Sequence, residues 1–511
     1  MLVKTFGGAV YGINAITITI EVNILWGAKF IIVGLPDNAV KESQQRIDSA
    51  LREIGLKIPG KRVIINLAPA DVKKEGSLYD LPLALGILAA NEQIPHEELK
   101  NYVIMGELSL DGSLQPVKGV LPIAINAKQE NFNGIILPIQ NANEAAVIKG
   151  LDVYGFHHLK EVIAFLKKEK DYPPFSYQFA EESNYFDNEM QDFKDVKGQE
   201  NVKRALEIAA AGGHNLIMIG SPGSGKTMLA RRLSSILPPM TAEESLETTK
   251  IHSVAGKIQH NTSLIIHRPF RSPHHTISDV ALVGGGSWPQ PGEISLAHNG
   301  VLFLDELPEF KRAVLEVLRQ PLEDRTISIS RAKFSVEYPA NIMLIASMNP
   351  CPCGFYNHPA KNCTCPPGSV QKYLSKISGP LLDRIDMHIE VIPVELEKIA
   401  SRTESEPSTL IRKRVVEARK IQNLRFKKYP GIYCNAQMTS PLLKEYCLLN
   451  EKCIALLKTA MQKFGLSARA YDRIIKLSRT IADLDHCDLI TPQHIAEAIQ
   501  YRSLDREGWG N

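Results

Sequence analysis

Through residues 1–170, short apolar runs with a period of two alternate with stretches of helical period. Residues 15–24 (AITITIEVNI) alternate apolar and polar side chains, and residues 62–67 (RVIINL) form a compact apolar run; both predict strands. Between them, residues 43–54 (SQQRIDSALREI) space their apolar positions for one face of a helix. Residues 171–191 (DYPPFSYQFAEESNYFDNEMQ) break the rhythm with two prolines and an acidic stretch, and read as a linker. A helical segment, a buried strand and a glycine-rich loop follow (NVKRALEIAAAGGHNLIMIGSPGSGKT). From residue 396 the pattern is helical, over 409–426, 441–449, 451–463, 468–482 and 492–502. No solenoid-length repeat or low-complexity tract interrupts this order. The pattern predicts an α/β chain with an N-terminal domain over 1–170, a linker over 171–191, an α/β core over 192–395 and a helical domain over 396–511.

A length of 511 residues suits about three domains. With 59 basic and 56 acidic residues, the net charge of +3 points to no partner, so any nucleic-acid contact has to come from local basic patches. The N-terminus lacks a signal-peptide pattern and no apolar run reaches membrane-spanning length, which leads us to expect a cytoplasmic protein. In a reducing compartment the eight cysteines are expected as thiols or metal ligands.

The chemistry is densest at Gly220-Ser221-Pro222-Gly223-Ser224-Gly225-Lys226-Thr227. It fits G-x-x-x-x-G-K-[ST] between an apolar strand and a helix, the context of a phosphate-binding loop. The glycines let backbone N–H groups converge on phosphate oxygens at a helix N-terminus. Lys226 would neutralise the terminal phosphates of ATP, and the Thr227 hydroxyl would ligate Mg2+. The run Gly300-Val301-Leu302-Phe303-Leu304 ends in Asp305-Glu306, at the strand end where α/β sheets bind ligands. Asp305 is expected on magnesium and Glu306 on the attacking water. A third apolar strand (NIMLIAS) leads to Asn349, whose amide is expected at that water or the terminal phosphate.

RPFRSPHHTIS (268–278), PGEISLAHNGVLFLDE (291–306), SMNPCPCG (347–354) and SGPLLDRID (378–386) resemble the magnesium-chelatase-like AAA+ ATPases of the YifB/ComM branch. The resemblance covers nearly the whole chain. It implies a Lon-protease-like (ribosomal S5 domain 2-like) α+β domain ahead of the motor, and a hexameric ring with ATP between subunits. It assigns Asn349 as sensor 1, Arg384 as an arginine finger donated across the interface, and Arg469 as the sensor 2 arginine of the helical lid. It also implies a motor that remodels DNA by branch migration in recombination. Two alternatives share the core: a chelatase motor for metal insertion into a tetrapyrrole, and a chaperone or regulatory ATPase acting on protein clients. A D-x-S-x-S motif of the chelatase partner is not found; Asp111-Gly-Ser-Leu-Gln fails at its last position.

In the N-terminal domain, KKEGSLYDLP (73–82) and residues 105–128 resemble the serine and lysine segments of Lon proteases. Aligned on their glycines, Leu78 stands at the nucleophile and Leu121 at the base, with Ser77 one position off and Lys118 three early. Leucine at both positions removes a serine nucleophile and its base, so this domain is expected to be non-proteolytic. GLPDNAVKES (34–43) looks like a family signature without evident chemistry. Cys351, Cys353, Cys363 and Cys365 form C-x-C-x9-C-x-C, a set that suits structural Zn2+, although the C-x-C spacing is tighter than usual and free thiols remain an alternative. Residues 326–338 (TISISRAKFSVEY) read as a hairpin with Arg331 and Lys333 at its tip, expected either to meet DNA or to be a solvated turn. The basic stretch 411–428 reads as a charged helix face that could also meet phosphate.

Overall fold

A computed structural model describes residues 1–176, 191–258, 263–286, 289–331, 334–356, 358, 360–394 and 405–502. The first sheet has seven strands: β1 (Leu2–Tyr11), β2 (Asn14–Leu25), β3 (Phe30–Val33), β4 (Arg62–Ala68), β5 (Tyr102–Ile104), β6 (Gly134–Pro138) and β7 (Asp152–Phe156). Their order is β3-β4-β2-β1-β5-β6-β7. Antiparallel pairs β1–β2 and β2–β4 sit beside parallel pairs such as β5–β6 and β6–β7, making this an α+β domain. Alternation in β2 puts Ile18, Ile20 and Val22 in the core. The amphipathic helix α1 (Asn38–Glu53) buries Val40, Ile47 and Leu51 on the same core, while α2 (Asp80–Ala90) is buried all round.

The structure gives GLPDNAVKES a structural reading. Asp37 caps α1 through Val40 N (2.8 Å) and also accepts from Gly76 N (3.1 Å), fastening this loop to the segment before Ser77. Gly34, at φ 99°, lies so close to the Leu67 backbone that no Cβ would fit. The stretch read as a linker is partly docked: the Tyr172 ring stands 5.1 Å from Phe156, and Phe175 N donates to Val153 O. At its far end Gln191 accepts from Arg232. The central residues 177–190 lie outside the described residues.

The second sheet is wholly parallel. Its strands are β8 (Leu216–Ile219), β9 (Phe270–Arg271), β10 (Val301–Leu304), β13 (Met343–Met348) and β14 (Met387–Glu390), in the order β9-β10-β13-β8-β14. β8, β10 and β13 are buried throughout and apolar except for Ser347 in β13, as a sheet covered on both faces requires. Between β10 and β13 in the chain, β11 (Thr326–Arg331) and β12 (Phe334–Pro339) form a separate antiparallel hairpin. The helices α3 (Val120–Gln129) of the first domain and α4 (Ala242–Val254) of the second pack across the boundary. There Gly119 N donates to Ser253 O (3.1 Å), and Ser253 Oγ donates to the Glu144 carboxylate. The other side of α4 braces the approach to β10: His298 Nε2 meets Glu247 at 3.0 Å, and Asn299 Nδ2 reaches Thr248 Oγ1 at 3.3 Å.

The C-terminal part is helical: α5 (Ser408–Phe426), α6 (Ser440–Tyr446), α7 (Glu451–Phe464), α8 (Ala468–Leu484) and α9 (Pro492–Gln500). Three arginines of the stretch read as a charged face turn inward. Arg414 pairs with Glu207 and Glu406, Arg419 donates to the carbonyls of Ala210 and Ala211, and Arg425 pairs with Asp483. They fasten this helix to its own chain. Among the described residues no helix is long and apolar enough to cross a membrane.

Candidate functional site

The glycine-rich loop leaves the C-terminal end of β8 and enters the helix Lys226–Ile236. Gly223 and Gly225 take φ of 79° and 90°, which bends the loop back on itself. A Cβ at Gly220 would run into the Val391 carbonyl, so a side chain is excluded there. The Lys226 ammonium is held over the loop by Gly220 O (2.7 Å), Ser221 O (3.0 Å) and Asn349 Oδ1 (3.2 Å). Burial pulls its pKa down, against the opposing pull of Asp305 and Glu306. Among the described residues the buried hydroxyls of Ser221 and Ser224 have no hydrogen-bond partner. Unsatisfied donors beside a held ammonium suit an anionic ligand.

Thr227 Oγ1 donates to Asp305 Oδ2 at 2.7 Å, although the two lie 78 residues apart in the chain. A hydroxyl and a carboxylate oxygen thus meet beside the loop, the hard oxygen donors that magnesium takes. Ser347 donates to the other Asp305 oxygen and, at 3.4 Å, accepts from Glu306 N. Glu306 sits at φ 54°, uncommon for a residue with a side chain, and its side chain is 57% exposed. His275 Nδ1 stands 3.7 Å from that carboxylate, and the His274 ring packs 4.1 Å from the His275 ring. Reading the sequence singled out neither His275 nor Ser347. The PHH of RPFRSPHHTIS was the only signal for the first, and the register of β13 beside β10 for the second.

The structure therefore brings together Gly220–Thr227, Asp305, Glu306 and Asn349. It does not bring Arg384 or Arg469 to them. Asp386, two residues beyond Arg384, accepts from Asn215 N (2.9 Å), and Asn215 Nδ2 donates to Arg384 O (3.1 Å). Asn215 precedes β8 whereas the phosphate loop follows it, so the two sites are separated by about 16 Å at a rise of roughly 3.3 Å per residue. Arg384 is buried against Pro380 O (2.7 Å) and the Glu323 carboxylate, and its Nε has no partner among the described residues. Arg469 is exposed, reaches Asp383 at 3.4 Å, and lines one cleft with Arg384, Asp472, Arg473 and Lys476. Asp386 anchors this cluster: despite the cost of burial, Arg473 and His214 hold its carboxyl well below the usual range.

The four cysteines of C-x-C-x9-C-x-C offer sulfurs that all lie within 4.8 Å of one another, with 3.3, 3.5 and 3.7 Å among Cys351, Cys353 and Cys363. Sulfurs at the corners of a tetrahedral zinc site, each about 2.3 Å from the ion, lie about 3.8 Å apart, so the set fits. In the N-terminal domain Leu121 is fully buried, Leu78 packs between the two core clusters there, and Ser77 donates to Glu107. Lys118 instead lies against Gly256 of the second domain. In the hairpin, Ile327, Ile329, Val336 and Tyr338 form one buried face, and Tyr11 of the first domain donates to Ser335 O at 2.9 Å. Lys333 lies outside the described residues; Arg331 ends β11, and only its backbone is described.

Comparison with known proteins places these features in one lineage. Family models match successive parts of the chain: "Subunit ChlI of Mg-chelatase" over 20–141, "Magnesium chelatase, subunit ChlI" over 192–399, and "Magnesium chelatase, subunit ChlI C-terminal" over 405–502. The chain is similar to the competence protein ComM of Haemophilus influenzae, at 45% identity over 99% of this chain and 98% of that protein. It is similar to YifB of Escherichia coli, at 44% identity over 98% of this chain and 96% of that protein. A shorter match, 30% identical over 28% of this chain and 27% of the relative, is to Lon protease 2 of Bacillus subtilis.

Proposed function

We propose, from the premise that the chain belongs to the magnesium-chelatase-like AAA+ family that includes ComM and YifB, that it is an ATP-driven ring motor that remodels branched or single-stranded DNA. ATP with Mg2+ is the fuel that the family implies, and the loop, Lys226, Thr227 and Asp305 are the residues that would hold it. Bound magnesium would offset phosphate charge. Glu306 would orient the attacking water, with Asn349 and Lys226 facing the terminal phosphate. The strand between Asn215 and Gly220 sets Arg384 apart from its own phosphate loop, which supports a ring with ATP at subunit interfaces in which Arg384 would exchange Glu323 for a neighbour's nucleotide, hexameric by resemblance. Arg469 shares the Arg384 cleft and would act across the same interface. The N-terminal domain, with leucines at both dyad positions, is read as non-proteolytic.

The observation that carries the DNA reading is the hairpin β11–β12. It leaves the chain after the strand that bears Asp305 and Glu306, and returns just before the strand that leads to Asn349. A ligand gripped at its tip is therefore connected through the backbone to both halves of the hydrolytic site. The double change Arg331→Ala, Lys333→Ala should leave assembly and basal ATP turnover intact. It should weaken DNA binding and abolish stimulation by DNA. The slope of log affinity against log salt should fall by about 0.7 per lost phosphate contact on single strands, or about 0.9 on duplex. An unchanged slope and unchanged DNA stimulation in the double variant would remove the hairpin from the interface. Turnover stimulated by a porphyrin or by unfolded protein, and not by DNA, would favour the chelatase or the chaperone reading instead.

A further inference from the structure

The cysteine cluster lies against the phosphate loop. Asn349, whose amide meets Lys226, is followed two residues later by Cys351, which is fully buried. Gly354 N donates to Cys351 O, turning the chain at φ 83°, and this turn lies against the ring of Pro222 within the phosphate loop. A methyl group at Gly354 would stand 2.8 Å from Pro222 Cγ and closer still to Cδ, so the two loops are in van der Waals contact. Two backbone N–H groups point at sulfur, Tyr356 N at Cys351 (3.3 Å) and Cys353 N at Cys365 (3.4 Å). Tyr373, on the short helix after Cys365, is buried in the same core as Met348, one residue before Asn349.

We propose that the four cysteines bind one zinc ion that braces the phosphate loop, with the Gly354 turn holding Pro222 in the conformation that binds ATP. The proposal rests on the ATPase reading of the same site. Among the described residues the cysteine loop carries short-range turns around Phe355, His358 and Lys361, with the Lys361 ammonium over the Phe355 ring. Four thiolates crosslinked through a metal convert that loop into a rigid unit. Closed tetrahedral coordination leaves no position for substrate, so the role is positional. The zinc centre governs nucleotide affinity more than the hydrolytic step, because it touches the loop that binds phosphate and not Glu306.

The test uses the full chain, purified without chelators, and reads zinc content, affinity for a fluorescent ATP analogue, and melting temperature. The wild type should carry about one zinc per chain. Cys363→Ser should lose the zinc and bind the analogue about tenfold more weakly or worse. Cys363→His keeps a zinc ligand and should retain both the ion and the affinity. Gly354→Ala tests the contact with Pro222 while also straining the turn at φ 83°, so its zinc content and melting temperature are read alongside: it should keep the zinc while its methyl pushes on Pro222, raising KM with kcat at saturation little changed. Wild-type protein without zinc overturns the proposal. So does loss of zinc with unchanged nucleotide affinity, or Gly354→Ala with wild-type affinity. If the wild type binds no ATP analogue at all, the ATPase reading falls as well, and that result is distinguishable from the others.

Discussion

Arg384→Ala should lower ATP turnover by about three orders of magnitude or more, the scale of a lost arginine finger, while ATP affinity stays near wild type. The split follows from position. Arg384 lies at the end of the sheet opposite its own phosphate loop, so removing it leaves that loop and the contacts of Lys226 in place. Its guanidinium rests against Glu323, and its Nε, without a partner among the described residues, is a donor this contact does not use. In a ring the same group would face the next subunit's terminal phosphate and stabilise the charge of the transition state, which an apparent affinity does not register. Mixing Arg384→Ala subunits with Glu306→Gln subunits provides the decisive measurement. Interfaces that pair an intact Glu306 with a neighbour's intact Arg384 should recover turnover in co-assembled rings. No recovery in proven mixed rings would rule out a finger acting across the interface.

The second large effect is a contrast between two changes on one site. Lys226→Ala should abolish nucleotide binding, since it removes the ammonium held by Gly220 O, Ser221 O and Asn349. Glu306→Gln should still bind ATP with magnesium but stop turning it over. The amide preserves size and leaves the Thr227–Asp305 pair untouched, yet has no carboxylate to orient water. Binding measured with an ATP analogue and turnover measured by phosphate release separate the two. Hydrolysis by Glu306→Gln at the wild-type rate would exclude Glu306 from its role.

Much of this site was legible because its chemistry is local in sequence. A glycine loop between an apolar strand and a helix is a short, continuous pattern, and so is an apolar strand ending in Asp-Glu. What stayed hidden depends on contacts between distant segments. Ser347 is ordinary in sequence, and only the register of β13 against β10 carries its hydroxyl to Asp305. His275 reaches Glu306 because β9 runs beside β10. The basic stretch 411–428 looked solvated because charge alone does not show direction; its inward arginines find carboxylates and carbonyls contributed from Ala210, Glu207 and Asp483. Residues 171–176 looked like linker because of their paired prolines, yet Tyr172 packs on the rings of Phe156 and Phe165 and Phe175 packs on a separate aliphatic core cluster.

Helix α4 is joined at one end to the first domain, through Ser253, Glu144 and Gly119, and along its length to His298 and Asn299 just ahead of β10. One helix thus carries polar contacts to both domains. Removing residues 1–170 would strip Gly119 and Glu144 from Ser253, leaving buried polar groups at the end of α4 without the partners the first domain supplies, so the truncated chain should be less stable than the sum of its parts suggests.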